Sequence, residues 1–163
     1  MSKKPAGTPA LKALDAAGVE YSIHEYEHDP RSKVGFGLES VEKLGMSADQ
    51  SFKTLMVLAD GELCCAVVPS SGMLNLKEFA KALGAKKAEL ADPAQAQRET
   101  GYIVGGISPL GQKKKHRTVI DESAELFDKV YVSGGRRGLT VGLAPGDLVK
   151  LTGAAEADIA RQL

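Results

Sequence analysis

The sequence predicts an α/β fold of the α+β type: a single compact domain with a mixed, largely antiparallel or barrel-like sheet and flanking helices. Three observations lead to this prediction. Two apolar runs, 52–59 and 63–68, flank Asp60-Gly61, a dipeptide typical of tight hairpin turns. Apolar side chains recur with a helical period between Asn75 and Gly84. Helix and strand patterns follow one another without the regular alternation of parallel βαβ units.

Each predicted helix is placed by its cap residues or its apolar period. Thr8-Pro9 starts the first helix, with threonine as N-cap and proline in the first turn, and Gly18 ends it. Asn75 caps a helix over 76–83. The other predicted helices cover 40–44, 93–100, 147–151 and 155–162.

The predicted strands are apolar or β-branched runs bounded by turn residues. They cover 19–26, 52–59, 63–68, 118–121, 130–133 and 139–143. A chain of 163 residues is long enough for one domain with a sizeable core. We therefore expect one domain over 1–163, with residues 1–7 as a flexible N-terminus.

Composition excludes several classes of protein. The 21 Lys and Arg residues balance the 21 Asp and Glu residues, so any nucleic-acid contact must come from a local cluster of charge. No apolar run approaches the length of a membrane helix, and no signal peptide is recognisable, so we expect a cytoplasmic protein without a membrane partner. The adjacent pair Cys64-Cys65 and three scattered histidines lack ligand spacing, so we expect neither metal nor cofactor.

The segment 101–118 is the most informative part of the chain. Gly105-Gly106 would let backbone N–H groups approach a ligand closely, because no Cβ stands in the way. Ser108 adds a hydroxyl group, and the basic run 113–117 adds positive potential beside it. The alternative is a glycine hinge followed by a solvated charged run, and composition alone leaves both interpretations open.

Lys53 is the sharpest single candidate for chemistry. It lies at the start of an otherwise apolar strand, where lysine is expected either as a guard on a sheet edge or as a cation that binds phosphate or a carbonyl group. Tyr26 and Phe36 could stack on a nucleobase, or could belong to the core. Ser133 could bind a ligand, or could be a turn residue.

These motifs, in this order, resemble the YbaK/EbsC family of aminoacyl-tRNA deacylases, from about residue 8 to residue 161. The long Gly-Gly-Ile-Ser-Pro-Leu-Gly-Gln-Lys-Lys string is the most specific match, and it favours a functional loop over a hinge. The matching segments are 26–30, 52–55, 76–87, 91–93, 100–102, 105–114 and 131–135.

The resemblance implies a compact α/β fold that hydrolyses mischarged tRNA in trans. Members of the family remove cysteine from Cys-tRNA(Pro), an error of prolyl-tRNA synthetase, with the substrate thiol as the nucleophile. The expected partners are therefore this aminoacyl-tRNA and, in a ternary complex, the synthetase. Two alternatives stay open: a non-catalytic module that binds a tRNA 3′ end or another adenosine ligand, and an alanine-specific or broad deacylase.

The resemblance also carries roles to individual residues of this chain. Lys53 would be the essential lysine, and the Gly105-Gly106 backbone would contact the scissile carbonyl. No role is assigned to Thr140. The expected substrate-binding residues are Tyr26, Phe36, Thr54, Ser108 and Ser133, and the expected phosphate-binding residues are Lys113, Lys114, Lys115, Arg136 and Arg137.

Overall fold

The computed structural model describes residues 7–31 and 35–162. Its helices are α1 (Pro9–Ala17), α2 (Phe36–Leu44), α3 (Leu76–Leu83), α4 (Pro93–Thr100) and α5 (Pro145–Thr152), with a 3-10 helix at Glu122–Leu126. Its strands are β1 (Tyr21–Glu25), β2 (Phe52–Ala59), β3 (Glu62–Pro69), β4 (Gly72–Leu74), β5 (Ala88–Leu90), β6 (Thr118–Asp121), β7 (Val130–Ser133), β8 (Leu139–Leu143), β9 (Ala155–Ala157) and β10 (Ala160–Gln162).

The strands form three sheets, with orders β5-β2-β3-β6-β9, β1-β8-β7 and β10-β4. Antiparallel pairs predominate, whereas β3-β6 and β6-β9 are parallel. The mixed sheet predicted from the sequence is therefore confirmed, but its barrel-like version is wrong. The β1-β8-β7 sheet meets the five-stranded sheet at an isolated bridge between Tyr131 of β7 and Ser51, which directly precedes β2. Beyond that bridge, β2 and β7 share no ladder.

The β2-β3 hairpin is the centre of the fold. Asp60 and Gly61 both have left-handed backbones, with φ of 48° and 84°, as a two-residue hairpin turn requires. Strand β3 is buried almost along its full length, and its neighbours Cys64 and Cys65 belong to different hydrophobic clusters. Since successive side chains of a strand point to opposite faces, β3 has a core on each side.

Helix ends follow the predicted caps, and two starts lie earlier than predicted. The side chain of Thr8 accepts the N–H of Leu11, and the side chain of Asn75 accepts that of Glu78. Helix α2 starts at Phe36 rather than at residue 40, because the N–H of Glu39 already reaches the carbonyl of Gly35 at 2.9 Å. Helix α5 starts at Pro145, two positions before the predicted start.

The prediction of a C-terminal helix over 155–162 is wrong, because this segment forms the two short strands β9 and β10. Strand β9 extends the large sheet beside β6, and β10 pairs with β4. Between them, the carboxylate of Asp121 accepts the N–H groups of Ile159 and Ala160, each at 3.0 Å. Long-range partners therefore decide the conformation of a segment whose local composition favours a helix.

Residues 1–6 lie outside the described residues, so the expectation of a flexible N-terminus is not addressed. None of the helices within 7–31 and 35–162 is long and apolar enough to cross a membrane.

Candidate active site

A cavity of about 470 Å³ opens where β2 and β7 diverge. Its walls come from β2, the start of α2, the start of α4, the glycine loop 104–107 and the turn end of the β7-β8 hairpin. The lining includes several hydroxyl groups and the two cations Lys53 and Arg136. None of its described residues is a histidine, a cysteine or an acidic residue.

Lys53 lies on β2 and lines this cavity. Strand β2 lies between β5 and β3 in the sheet, but β5 pairs only with residues 57–59, so at Lys53 the ladder partner is Val68 of β3 alone. The open side of the strand at this position faces the cavity rather than another strand. Its Nζ donates a hydrogen bond to the carbonyl of Gly72 at 2.8 Å. Burial lowers the pKa of this ammonium group, because removal from water disfavours its charge.

The glycine loop contains a tight turn over residues 103–106. The N–H of Gly106 donates to the carbonyl of Ile103 at 2.9 Å, and Gly105 has a φ of 89°. A left-handed residue in third position is what a type II turn requires. Gly105 lines the cavity, whereas Gly106 does not. Of the two predicted carbonyl contacts, only Gly105 therefore has an N–H that is not already used by this turn.

Close packing explains why both positions are glycine. A Cβ on Gly105 would lie 2.6 Å from the ring of Phe36, and a Cβ on Gly106 would lie 2.7 Å from the Cα of Arg136. Real Cβ contacts are not that short, so the wall could not hold a larger residue unchanged. Phe36 is 37% exposed, and the centroid of its ring lies 5.4 Å from that of the His28 ring.

Three further predicted contacts also line the cavity: Tyr26, Thr54 and Ser133. The Oγ1 atom of Thr54 is buried and has no hydrogen-bond partner among the described residues. The hydroxyl of Ser133 accepts the N–H of Gly135 at 3.2 Å, which is the turn role considered from the sequence. Burial, then the charge of Glu39, raises the pKa of Tyr26.

The wall contains a pair that the sequence did not reveal. The hydroxyl groups of Ser40 and Thr140 lie 3.1 Å apart, both residues are buried, and both line the cavity. They are 100 positions apart in the chain, so no local pattern could have joined them.

Comparison with known proteins identifies this arrangement. Residues 38–151 match the family model described as the aminoacyl-tRNA editing domain. The chain belongs to this family. The resemblance found in the sequence is thereby confirmed.

Relatives of this editing domain occur alone and within larger enzymes. The chain is 36% identical over 155 residues to a protein of Enterococcus faecalis named as a candidate Cys-tRNA(Pro)/Cys-tRNA(Cys) deacylase, EbsC, and covers 92% of it. It is also 40% identical over 82 residues to a proline–tRNA ligase of Nitratidesulfovibrio vulgaris, of which that match covers 14%.

Two solved structures share the fold of the editing domain. A hypothetical protein has a TM-score of 0.82 at 27% identity, with 94% of this chain and all of the other covered. A candidate trans-editing enzyme for prolyl tRNA synthetase has a TM-score of 0.82 at 23% identity, with 98% and 99% of the two chains covered.

Four of the residues predicted to bind the substrate or tRNA phosphate lie outside the cavity lining: Ser108, Lys113, Lys114 and Lys115. Ser108 is fully buried outside the cavity lining, and its hydroxyl accepts the N–H of Leu110 at 3.2 Å. Lys113, Lys114 and Lys115 are exposed and lie outside the lining, and Lys114 is 3.6 Å from Glu99. These roles stay predictions.

The two other predicted phosphate-binding residues, Arg136 and Arg137, lie at the cavity. Arg136 lines the cavity and pairs with Glu25 at 2.8 Å. The guanidinium carbon of Arg137 lies 5.1 Å from the centroid of the Phe36 ring. The two adjacent arginines thus have different surroundings.

Gln112 and His116 anchor the glycine loop, a role the sequence did not reveal. The Gln112 amide donates to the carbonyl of Ser108 at 3.0 Å, and its oxygen is 2.7 Å from Nδ1 of His116. His116 belongs to the basic run 113–117, but it is buried, and burial lowers its pKa. The local sequence could not show this, because the imidazole is buried by tertiary packing.

Proposed function

We propose that this chain is a trans-acting aminoacyl-tRNA deacylase whose substrate is Cys-tRNA(Pro). The observation that carries the proposal is the combination of Gly105 and Lys53 in one cavity that lacks a histidine, cysteine or carboxylate among its described lining residues. The family supports the reaction class, and the Enterococcus faecalis relative supports the substrate.

The cavity has the size of a small-ligand site. Its volume of about 470 Å³ lies within the usual range for ligand pockets, roughly 300–1,000 Å³. Such a volume suits the aminoacylated terminal adenosine, while the rest of the tRNA stays outside. Arg136 at the cavity and the exposed lysines 113–115 would bind phosphates on that outer part, with the salt dependence of such contacts.

Hydrolysis of an aminoacyl ester places negative charge on the carbonyl oxygen. The N–H of Gly105 is the donor that would stabilise this charge, since Gly106 donates within its own turn. Lys53 would hold the ribose or the terminal phosphate so that the ester carbonyl meets Gly105.

The missing nucleophile supports attack by the substrate itself. Cavity hydroxyls such as Thr54 have no described histidine or carboxylate in the lining to take their proton. Both protein thiols are buried, and burial raises the pKa of Cys65 to about 12. The cysteinyl sulfur would therefore attack its own carbonyl carbon. A carbon–sulfur bond forms, the ester carbon–oxygen bond breaks, and the thiol proton goes to the ribose oxygen that leaves with the tRNA.

The test is a deacylation panel over tRNA(Pro) charged with cysteine, S-alkylated cysteine, serine, alanine and proline. We expect rapid loss of cysteine only, with the cyclic thioester detected by mass spectrometry of the quenched reaction. Binding without turnover would make the chain a tRNA 3′-end module instead. Equal loss of alanine or of S-alkylated cysteine would make it a broader deacylase that uses water.

The relationship to proline–tRNA ligases supports a second element of the proposal, cooperation with prolyl-tRNA synthetase. Adding the synthetase to the same assay should raise the rate of deacylation at limiting tRNA. An unchanged rate, with no complex in sedimentation, would show that the chain acts on released tRNA.

A further inference from the structure

Arg137 contacts the cavity wall through two different interactions. Its Nε donates a hydrogen bond to the carbonyl of Val104 at 2.9 Å, and its guanidinium carbon lies 5.1 Å from the centroid of the Phe36 ring. Arg136, the neighbouring residue, instead pairs with Glu25 at the surface. Arg137 therefore directs its guanidinium towards the wall, although the sequence predicted a phosphate contact.

The bond to Val104 controls the orientation of Gly105. The carbonyl of Val104 and the N–H of Gly105 belong to one planar peptide unit, and in a trans peptide they point in opposite directions. This unit is the central peptide of the 103–106 turn, the unit that flips between type I and type II turns. Holding its carbonyl on Arg137 keeps the Gly105 N–H directed away from Arg137.

The second interaction holds the ring that covers Gly105. Phe36 packs so closely on Gly105 that even a Cβ there would lie 2.6 Å from it. An arginine can stack on an aromatic face and donate in-plane hydrogen bonds at the same time, which the compact ammonium of lysine cannot do. One side chain thus joins α2, the glycine loop and the β7-β8 hairpin.

We propose that Arg137 is a positioning residue that locks the Val104–Gly105 peptide and the Phe36 ring, rather than a ligand of tRNA phosphate. The inference rests on the proposed deacylase function, in which the Gly105 N–H stabilises the ester oxyanion. It assigns the charge-dependent contact with tRNA at this hairpin to Arg136 alone.

Replacing Arg137 by lysine and by glutamine separates geometry from charge. Lysine keeps the positive charge that a phosphate contact needs, but loses the planar fork. We expect both variants to lower the single-turnover rate constant at saturating Cys-tRNA(Pro) by about 10- to 100-fold, because small misplacements of a catalytic group have effects of this size. The slope of tRNA affinity against salt concentration should stay that of the wild type.

Two arginine variants serve as comparisons. Arg136→Gln should weaken tRNA binding and flatten its salt dependence, as expected for one lost phosphate contact. Arg98→Gln, on the exposed surface of α4, should match the wild type in both measurements. Amide exchange at Gly105 and Gly106 should increase in Arg137→Gln while that of the β2-β3 hairpin stays unchanged, which confirms a folded protein.

A normal rate constant in Arg137→Lys, or a flattened salt slope in Arg137→Gln, would overturn the proposal and return Arg137 to phosphate binding. These outcomes differ from a failure of the proposed deacylase function, because in that case the wild-type protein itself would not release cysteine from Cys-tRNA(Pro).

Discussion

Replacing Gly105 by alanine tests the geometry on which the proposed mechanism depends. The change adds one methyl group at a residue with a φ of 89°, at a point 2.6 Å from the Phe36 ring. Two effects follow. The left-handed backbone becomes unfavourable for a residue with a Cβ, and the ring has to move away from the glycine loop.

A second glycine, Gly84, allows the backbone strain to be measured apart from the displacement of the Phe36 ring. Gly84 ends α3 with a φ of 72°, and a Cβ there would meet nothing within 4 Å. Gly84→Ala should therefore lose only the backbone contribution to the free energy of unfolding, about 1–2 kcal/mol, and keep its activity. Gly105→Ala should lose more than this, because the displaced ring adds to the same strain.

The effect on catalysis should be larger than the effect on stability. If the Gly105 N–H is the oxyanion donor, its displacement should lower the rate constant by roughly 100- to 1,000-fold, as for other lost donors of this kind. The assay is single-turnover deacylation of Cys-tRNA(Pro) at saturating enzyme. Denaturant unfolding of the same variants gives the stability differences.

A double variant tests whether the clash with the Phe36 ring causes the instability of Gly105→Ala. In Gly105→Ala with Phe36→Ala the space for the methyl group is free, so the two changes should be non-additive in unfolding free energy. Wild-type turnover in a folded Gly105→Ala protein would refute the oxyanion assignment. Strict additivity of the two changes would refute the steric explanation.

Three further predictions concern charge and reactivity. Lys53→Ala should lower the single-turnover rate constant by about 100-fold or more. Its free energy of unfolding should fall by only about 1 kcal/mol, because the variant loses the hydrogen bond to the carbonyl of Gly72. Near-normal turnover would leave Lys53 without a role in the reaction. Burial would raise the pKa of Glu39, but hydrogen bonds from His28 and from the N–H of Asp29 outweigh burial and lower that pKa. The ionised Glu39 therefore stabilises the folded protein above the unfolded pKa of this group, and this stabilisation is lost as pH falls through the folded pKa. Glu39→Gln should thus lose about 2 kcal/mol at neutral pH and less in acid, as measured by urea unfolding across pH. Cys65 should react with a thiol reagent only after unfolding, since it is buried and burial raises its pKa to about 12. A protein pretreated with the reagent should keep its activity, and inactivation in the folded state would argue against a substrate nucleophile.

Local signals were sufficient where a segment carries its own turn or cap. The Asp60-Gly61 hairpin and the Asn75-capped helix are confirmed for this reason. The helix predicted over 155–162 is wrong because the conformation of this segment depends on β6, on β4 and on the distant carboxylate of Asp121. Strand pairing that depends on remote neighbours leaves little trace in a local window.

The same distinction applies to the site. Lys53 and Gly105 stood out as residue types that do not fit an ordinary strand or loop, and both line the cavity. The Ser40–Thr140 pair and the contact between Arg137 and Phe36 were invisible, because each joins ordinary residues from distant parts of the chain. Adjacent arginines look identical in a sequence, although one pairs with Glu25 and the other with the wall.

The pairing of β1 with β8 has a consequence for how the protein folds. Residues 21–25 pair with residues 139–143, so this three-stranded sheet is complete only when segments more than 100 residues apart in the sequence meet. Such contacts of high sequence separation slow folding, because the loop-closure entropy is lost before they form. Thr140 belongs to this pairing and Tyr26 directly follows β1, and both residues line the cavity. A refolding chain should therefore recover its hairpin signal early and its deacylase activity only with the final kinetic phase.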